Sequence, residues 1–164
     1  KLRPAFQKEG IVTAANASTL NDGASAVLVA EKNFAEKQGW EIIATIEDYV
    51  TSGVEPSRVM SAPIPAINAL LERNKLSVRD VDVFEHNEAF ASASCAIVKE
   101  IQIPLEKLNL HGGAISLGHP LGSSGTRCLI TMLGVMRRLQ ANRGIVTLCL
   151  GGGNAVAMML QLQN

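Results

Sequence analysis

The last twenty residues constrain the fold more than any other part of the chain. Two apolar stretches, 145–150 and 155–162, flank the run Gly151-Gly152-Gly153-Asn154. Glycine-rich connections of this length suit tight turns between antiparallel strands, so the pattern predicts a terminal β-hairpin. The two strands must then be neighbours in one sheet.

The remaining pattern alternates short apolar runs with amphipathic stretches. It predicts three further strands at 24–30, 41–50 and 81–84, and four helices at 31–38, 63–75, 88–101 and 124–142. Residues 1–20 are polar and irregular and predict an arm leading into the domain. We therefore expect an α/β fold with a mixed, mainly parallel five-stranded sheet, covered by helices and ending in the hairpin.

Charge and cysteine usage exclude several classes of protein. Fifteen basic residues balance fifteen acidic ones with no basic run, which argues against a nucleic-acid partner. The apolar stretches are shorter than the ~20 residues of a membrane helix, so we expect a soluble protein with no membrane partner. Cys95, Cys128 and Cys149 are odd in number and lack CxxC spacing, which favours a reducing compartment over disulfides or structural zinc. We expect a cytoplasmic location, or a mitochondrial or peroxisomal one in a eukaryote.

Residues 112–125 concentrate five glycines around His119, directly before the longest predicted helix. An imidazole held there could donate a hydrogen bond to developing negative charge. The segment could equally be a glycine-rich turn with an incidental histidine, or a phosphate cradle at a helix N-terminus. The segment alone leaves all three readings open.

Residues 85–90 lie at a predicted strand-to-helix junction, where side chains project from the end of a sheet. Asn87 could orient a water or a carbonyl there, or could simply cap the helix with Glu88 in its first turn. A metal site built from Glu85, His86 and Glu88 is rejected, because successive strand residues point in opposite directions. No metal is expected.

Cys149 lies between two leucines, immediately before the three glycines. The turn could expose it at the end of the sheet, although lone cysteines in such strands are usually inert core residues. Cys95 and Cys128 both fall in predicted helices without an exposing glycine turn, so we expect them to be structural.

Together these segments resemble the thiolase family. Its C-terminal half carries an NEAF segment, a GGAxxxGHPxGxSG segment and a C-x-GGG segment in this order, which correspond to 87–90, 112–125 and 149–153. The resemblance extends through 2–6, 13–18, 20–24 and 63–66, and so covers essentially the whole chain. Departures from the family pattern are Thr19 in place of a glycine, His86 before NEAF, and Asn154-Ala155 after the glycines.

The resemblance implies roles for individual residues. Cys149 would shuttle the proton at the substrate α-carbon, and His119, aided by a water on Asn87, would donate to the enolate oxygen. His119 would also help to activate the nucleophile, and the Gly151 N–H would bind the thioester oxygen. The coenzyme A groove would be lined by Ser18, Ala14 and Phe6, and the acyl pocket by Met60, Ala89 and Phe90.

The resemblance further implies an acetyl-CoA acetyltransferase that interconverts acetyl-CoA and acetoacetyl-CoA, with the coenzyme A thioester as substrate and no separate cofactor. Residues 1–20 would end a loop domain, and 21–164 would form the C-terminal domain. We expect the isolated chain to be inactive, because the half that bears the nucleophilic cysteine is not in it. Expected partners are that N-terminal half and further copies, in a homodimer or homotetramer. Two alternatives are a broad-chain 3-ketoacyl-CoA thiolase of fatty-acid β-oxidation and a non-catalytic thiolase-fold interaction domain.

Overall fold

The computed structural model describes residues 2–163, and in this range the chain forms one four-stranded sheet with helices on both faces. The strands are β1 (Ala44–Gly53), β2 (Val83–His86), β3 (Arg143–Leu150) and β4 (Asn154–Leu162), in the spatial order β1-β4-β3-β2. The α-helices are α1 (Lys32–Lys37), α2 (Pro63–Arg73), α3 (Ala91–Ile101), α4 (Ala114–Leu117) and α5 (Ser124–Leu139).

The predicted terminal hairpin is confirmed. β3 and β4 pair antiparallel, with Cys149 opposite Ala155, and the glycine run connects them. Gly152 and Gly153 have φ values of +84° and +91°, a region of backbone space that L-residues with a side chain rarely occupy. The composition of the turn therefore follows from its backbone.

The predicted number of strands and the predicted predominance of parallel pairing are wrong. The sheet has four strands rather than five, and of its three pairings only β2–β3 is parallel. The stretch 24–30 is not a strand, and Leu28 within it is 78% exposed. An apolar run becomes a strand only when a neighbouring backbone supplies hydrogen-bond partners, and residues 2–163 offer none to this stretch in the sheet. At the edge of the sheet formed by β2, Leu108 makes an isolated parallel bridge to Phe84.

Alternation along the strands gives the sheet two buried faces. On one face Ile145 and Met159 pack with Ile67 and Leu70 of α2. On the other face Val83, Val146 and Leu160 pack against Cys128, Met132 and Met136 of α5. Gly144 permits this second contact, because a Cβ there would lie 2.7 Å from the Met132 sulfur.

The parallel pair β2–β3 brings two strand ends to the same edge of the sheet. His86, the last residue of β2, lies opposite Thr147 of β3. Because the two strands are parallel, both leave the sheet at that edge. The arm formed by residues 2–20 reaches the same edge through bridges from Ala17 to Phe90 and from Leu20 to His119. Among residues 2–163, no helix has both the length and the apolar character needed to cross a membrane.

Candidate functional site

Asn87 is the first residue after β2, and its side chain is buried. Its backbone N–H donates to the Thr147 carbonyl at 3.1 Å, which extends the β2–β3 ladder by one bond. Its side-chain Nδ2 lies 3.3 Å from Nε2 of His119, and its Oδ1 accepts from Arg127 at 3.1 Å. Both ends of the amide therefore have a partner.

His119 is held at this edge by backbone geometry. It follows Gly118, whose φ is +92° and where an added Cβ would collide with Asn21. The His119 backbone N–H donates to the Thr19 carbonyl at 2.9 Å, which ties the site to the arm. On the ring, Nδ1 lies 2.6 Å from the Ser124 hydroxyl at the start of α5.

These contacts determine which ring nitrogen carries the proton. The Ser124 hydroxyl donates to the Pro120 carbonyl at 3.0 Å, so it accepts from Nδ1–H of His119. Because Asn87 turns its oxygen to Arg127, its NH2 group donates to Nε2 of the ring. Burial, and then the nearby charge of Arg127, lower the pKa of His119. The ring is therefore neutral, with a basic Nε2 facing the site.

Cys149 is the next-to-last residue of β3, and its side chain is half-buried. Its sulfur lies 3.9 Å from the sulfur of Met60, which belongs to the 3-10 segment Pro56–Ser61. The side chain of Thr147, two residues earlier, points to the same strand face. The backbone carbonyl of Thr147 accepts the hydrogen bond from the Asn87 N–H. Burial raises the pKa of the Cys149 thiol, so the thiol holds its proton and would be a strong base once ionised.

The glycine turn after Cys149 contains two different kinds of position. Gly151 is exposed, and a Cβ there would meet open space. Gly153 is buried, and a Cβ there would collide with the carbonyl oxygen of Val54. The Gly153 carbonyl in turn accepts from the Val54 N–H at 2.8 Å. The resemblance assigns a role to the backbone N–H of Gly151, and the steric requirement for a glycine falls on Gly153.

The proposed coenzyme A and acyl residues form two separate groups. Ser18 donates its hydroxyl to the Ala89 carbonyl at 3.0 Å, and the rings of Phe6 and Phe90 meet edge to face at 5.9 Å. The arm is thereby docked on the start of α3. Met60 instead lies beside Cys149, and Ala14 is exposed in the turn at 13–16.

Two buried groups beside the site were not identified as functional from the sequence. Glu85 is fully buried in β2, its Oε1 lies 3.4 Å from Arg127, and burial raises its pKa to about 8. Arg127 joins this carboxyl to Asn87. A charged residue directly after two apolar residues of β2 was the available signal for Glu85, whereas one arginine on a helix carries no comparable signal.

The other two cysteines lie in helices, as predicted. Cys95 is exposed on α3, and Cys128 is buried on α5, where burial raises the pKa of its thiol to about 12. Within residues 2–163, no three histidine, cysteine or acidic side chains are grouped closely enough to hold a metal ion.

Comparison with known proteins supplies a family. The model of the thiolase C-terminal domain matches residues 40–162, and that of the thiolase N-terminal domain matches residues 1–33. A probable acetyl-CoA acyltransferase of Staphylococcus aureus is 45% identical over 160 residues, which are 98% of this chain and 40% of that protein. The cytosolic acetyl-CoA acetyltransferase of Rattus norvegicus is 48% identical over 163 residues, covering 98% of this chain and 41% of that protein.

The fold matches solved structures equally well. Human mitochondrial 3-ketoacyl-CoA thiolase in complex with CoA superimposes with a TM-score of 0.96 at 40% identity, over 99% of this chain and 41% of that one. The chain thus spans about 40% of the length of the curated relatives it matches.

Proposed function

This chain belongs to the thiolase family, and we propose that the protein is an acetyl-CoA acetyltransferase that condenses two acetyl-CoA molecules reversibly to acetoacetyl-CoA and CoA. The observation that carries the proposal is the Asn87–His119 pair, at 3.3 Å, on the sheet edge where the strand bearing Cys149 ends. The names of the S. aureus and rat relatives support the acetyl-CoA substrate.

In this reaction His119 acts first as a base. The thiol of the nucleophilic cysteine gives its proton to Nε2, and the thiolate attacks the acetyl thioester. The acetyl group moves to sulfur, and the departing CoA thiolate takes the proton of Cys149. The neutral Nδ1–H tautomer of His119 suits this step, because Nε2 is unprotonated and can exchange the 3.3 Å bond from Asn87 for the proton of the thiol. The Gly151 N–H is proposed to bind the thioester oxygen of the acyl-enzyme.

Cys149 acts on the second acetyl-CoA. Its thiolate, formed when CoA left, removes the α-proton, and the enolate carbon attacks the acyl-enzyme carbonyl. The first cysteine leaves as a thiolate and takes its proton back from Nε2 of His119. A thiol whose pKa is raised by burial is the stronger base when ionised, and this matches the weak acidity of the α-carbon. The protonated Nε2 of His119, with a water on the free N–H of Asn87, donates to the enolate oxygen.

Neither of the remaining cysteines suits the role of nucleophile. Cys95 is exposed within α3, and the Cys128 thiol is buried with its pKa raised to about 12. We propose that a part of the protein outside these 164 residues supplies the nucleophile and that this chain alone is inactive. That part would also cover residues 24–30, where Leu28 is 78% exposed. Residues 1–20 would then end the loop domain and 21–164 form the C-terminal domain, within a homodimer or homotetramer.

Coenzyme A is proposed to lie along the arm, lined by Ser18, Ala14 and Phe6. The docking of the arm on Ala89 and Phe90 supports this, because it places the arm next to the site. Met60 is proposed to wall the acyl pocket with these two residues, supported by its contact with Cys149.

The likeness to human mitochondrial 3-ketoacyl-CoA thiolase favours a second candidate, a thiolase of longer 3-ketoacyl-CoA substrates. The two are separated by the dependence of kcat/KM on acyl length. An acetyl-CoA acetyltransferase prefers acetoacetyl-CoA to 3-ketohexadecanoyl-CoA, whereas a broad-chain thiolase accepts both.

The test is thiolysis of acetoacetyl-CoA by free CoA, measured for this chain and for the complete gene product. We expect no turnover by the chain and turnover by the complete product, with loss of condensation in its Cys149→Ala variant. Turnover by this chain alone would overturn the split site. Unchanged turnover in Cys149→Ala would support a non-catalytic role for this domain and sink the proposed mechanism.

A further inference from the structure

Arg127 of α5 is a largely buried charge to which the proposed reaction assigns no role. Its side chain is 18% exposed, one guanidinium nitrogen donates to Glu85 at 3.4 Å, and the other donates to Asn87 Oδ1 at 3.1 Å. Its Nε and the Glu85 Oε2 have no hydrogen-bond partner among residues 2–163. Removing such a pair from water costs desolvation free energy, which its own attraction does not always offset. We therefore ask what the hydrogen bond from Arg127 to Asn87 contributes.

The reason lies in the ambiguity of an amide. The two ends of the Asn87 side chain have the same shape but opposite hydrogen-bonding character. A guanidinium has donors only, so it accepts nothing from an NH2 group and selects the Asn87 oxygen. The NH2 group is then turned toward Nε2 of His119, 3.3 Å away. With the amide reversed, its oxygen would face the lone pair of Nε2.

We propose that Arg127, held by Glu85, is a positioning residue that fixes the orientation of the Asn87 amide and, through it, the Nδ1–H tautomer of His119. Its consequence for catalysis rests on the proposed function, since that tautomer leaves Nε2 unprotonated, so that Nε2 can exchange the 3.3 Å bond from Asn87 for the proton of the nucleophile. The geometry itself does not depend on the reaction. Arg127 touches no reacting atom and acts through Asn87.

The part played by Glu85 is to accept a hydrogen bond rather than to carry a charge. Its carboxyl oxygen receives the Arg127 N–H in a site with no exposed surface. A glutamine offers a carbonyl oxygen at the same place, whereas a leucine fills the space and accepts nothing. Glu85→Gln should therefore keep Arg127 in position, and Glu85→Leu should release it.

The first test reads the His119 ring by nitrogen-15 NMR of this chain with labelled histidine. We expect a protonated Nδ1 and an unprotonated, hydrogen-bonded Nε2 in the wild type and in Glu85→Gln. Arg127→Met and Glu85→Leu should give a mixture of tautomers and a raised His119 pKa. Arg137→Met is the matched control, because Arg137 lies on the same helix, pairs with Glu41 and is 57% exposed.

A folded Arg127→Met variant with wild-type shifts at both ring nitrogens would overturn the inference. If that variant does not fold, the pair Glu85→Gln and Glu85→Leu decides, and identical spectra for the two would overturn it. Arg127→Lys should restore the wild-type shifts only in part, because one ammonium cannot bond Glu85 and Asn87 as a fork.

The second test measures kinetics of the complete gene product. Arg127→Met should lower kcat on the order of 10–100-fold while KM changes less than about threefold, since the residue orients the site rather than binding substrate. Wild-type kcat in this variant would defeat the inference and leave the proposed function intact. A wild type without turnover would defeat the proposed function, and the NMR result would still decide the role of Arg127.

Discussion

At the scale of single residues, partners rather than residue type determine the chemistry of this site. His119 is a base at Nε2 because Ser124 accepts from Nδ1 and Asn87 donates to Nε2. The side-chain oxygen of Asn87 in turn accepts a hydrogen bond from Arg127. His86, one residue before Asn87, is equally buried but has no partner for either ring nitrogen among residues 2–163. Two histidines at one sheet edge therefore differ in what they can do.

The glycine turn allows a test with a built-in control. Gly153→Ala should destabilise the fold by at least ~1–3 kcal/mol, because φ is +91° and a Cβ would meet the Val54 carbonyl. Gly151→Ala places the same methyl group in open space and should shift the melting temperature little. Thermal unfolding of both variants by circular dichroism checks the difference. Equal melting temperatures would contradict the steric argument.

His86 should make stability depend on pH in the acid range. Burial lowers its pKa from 6.5 to about 4, so between these values the unfolded chain binds the proton more readily than the folded one. The contribution of His86 to the free energy of unfolding should therefore fall as the pH drops from 6.5 toward 4, by up to about 1.4 kcal/mol per pH unit. It is opposed by Glu85, whose pKa burial raises from 4.5 to about 8.

Urea unfolding at several pH values measures this slope. His86→Phe keeps a ring of similar size and cannot take up a proton, so its free energy of unfolding should lose less, or gain more, than that of the wild type as the pH drops from 6.5 toward 4. His111→Phe is the control, because His111 is exposed, and it should retain the wild-type slope. A wild-type slope in His86→Phe would show that the buried ring is not the source.

At the scale of elements, two packing relations build the site. The parallel pairing of β2 with β3 places Asn87 and Cys149 at one edge of the sheet. The packing of α5 on that sheet, through Met132 and Met136, brings Ser124 and Arg127 to the same edge. One long helix therefore supplies partners to both His119 and Asn87.

The helix α2 is expected to contribute strongly to stability through its buried face. Leu70 is fully buried against the sheet, so Leu70→Ala removes apolar contacts and leaves a cavity, at a cost of about 2–5 kcal/mol. Leu105→Ala is the matched control, because Leu105 is 70% exposed, and it should cost less than about 0.5 kcal/mol. Denaturant midpoints of the two variants measure both values. A small loss for Leu70→Ala would mean that α2 packs more loosely than its burial indicates.

At the scale of the whole molecule, one side of the chain exposes apolar surface. Val27, Leu28 and Val29 are 40%, 78% and 67% exposed, and they border a groove of about 800 Å³ whose floor includes Leu129 and Leu133 of α5. Contiguous apolar surface of this kind normally marks an interface. It agrees with the proposal that another part of the protein covers this side.

The isolated chain should therefore self-associate. Sedimentation velocity should show oligomers whose fraction grows with concentration, and the double change Leu28→Glu with Val29→Glu should shift the chain toward monomer. Leu105→Glu adds a charge at an exposed leucine outside the groove and should leave association unchanged. A wild-type chain that stays monomeric at all concentrations would contradict this expectation.

The sequence predicted the elements far better than the sheet they form. Four helices and four of five strands were placed from periodicity, and the hairpin from its glycines, because these signals are local. The stretch 24–30 has the same apolar character as a strand yet remains unpaired, since pairing depends on a neighbour elsewhere. The prediction of a mainly parallel sheet is wrong for a similar reason. β1 pairs antiparallel with β4, more than a hundred residues away along the chain.

The sequence by itself determined the family, the terminal hairpin, and the identity of Asn87, His119 and Cys149 as candidates, because ordered motifs and glycine spacing are written along the chain. Only the tertiary structure decided which nitrogen of His119 is basic. It also showed that Arg127 donates hydrogen bonds to both Asn87 and Glu85. The physical reason is that tautomers and buried pairs are set by atoms within hydrogen-bond reach. Arg127 lies forty residues from Asn87 along the chain and 3.1 Å from it in space.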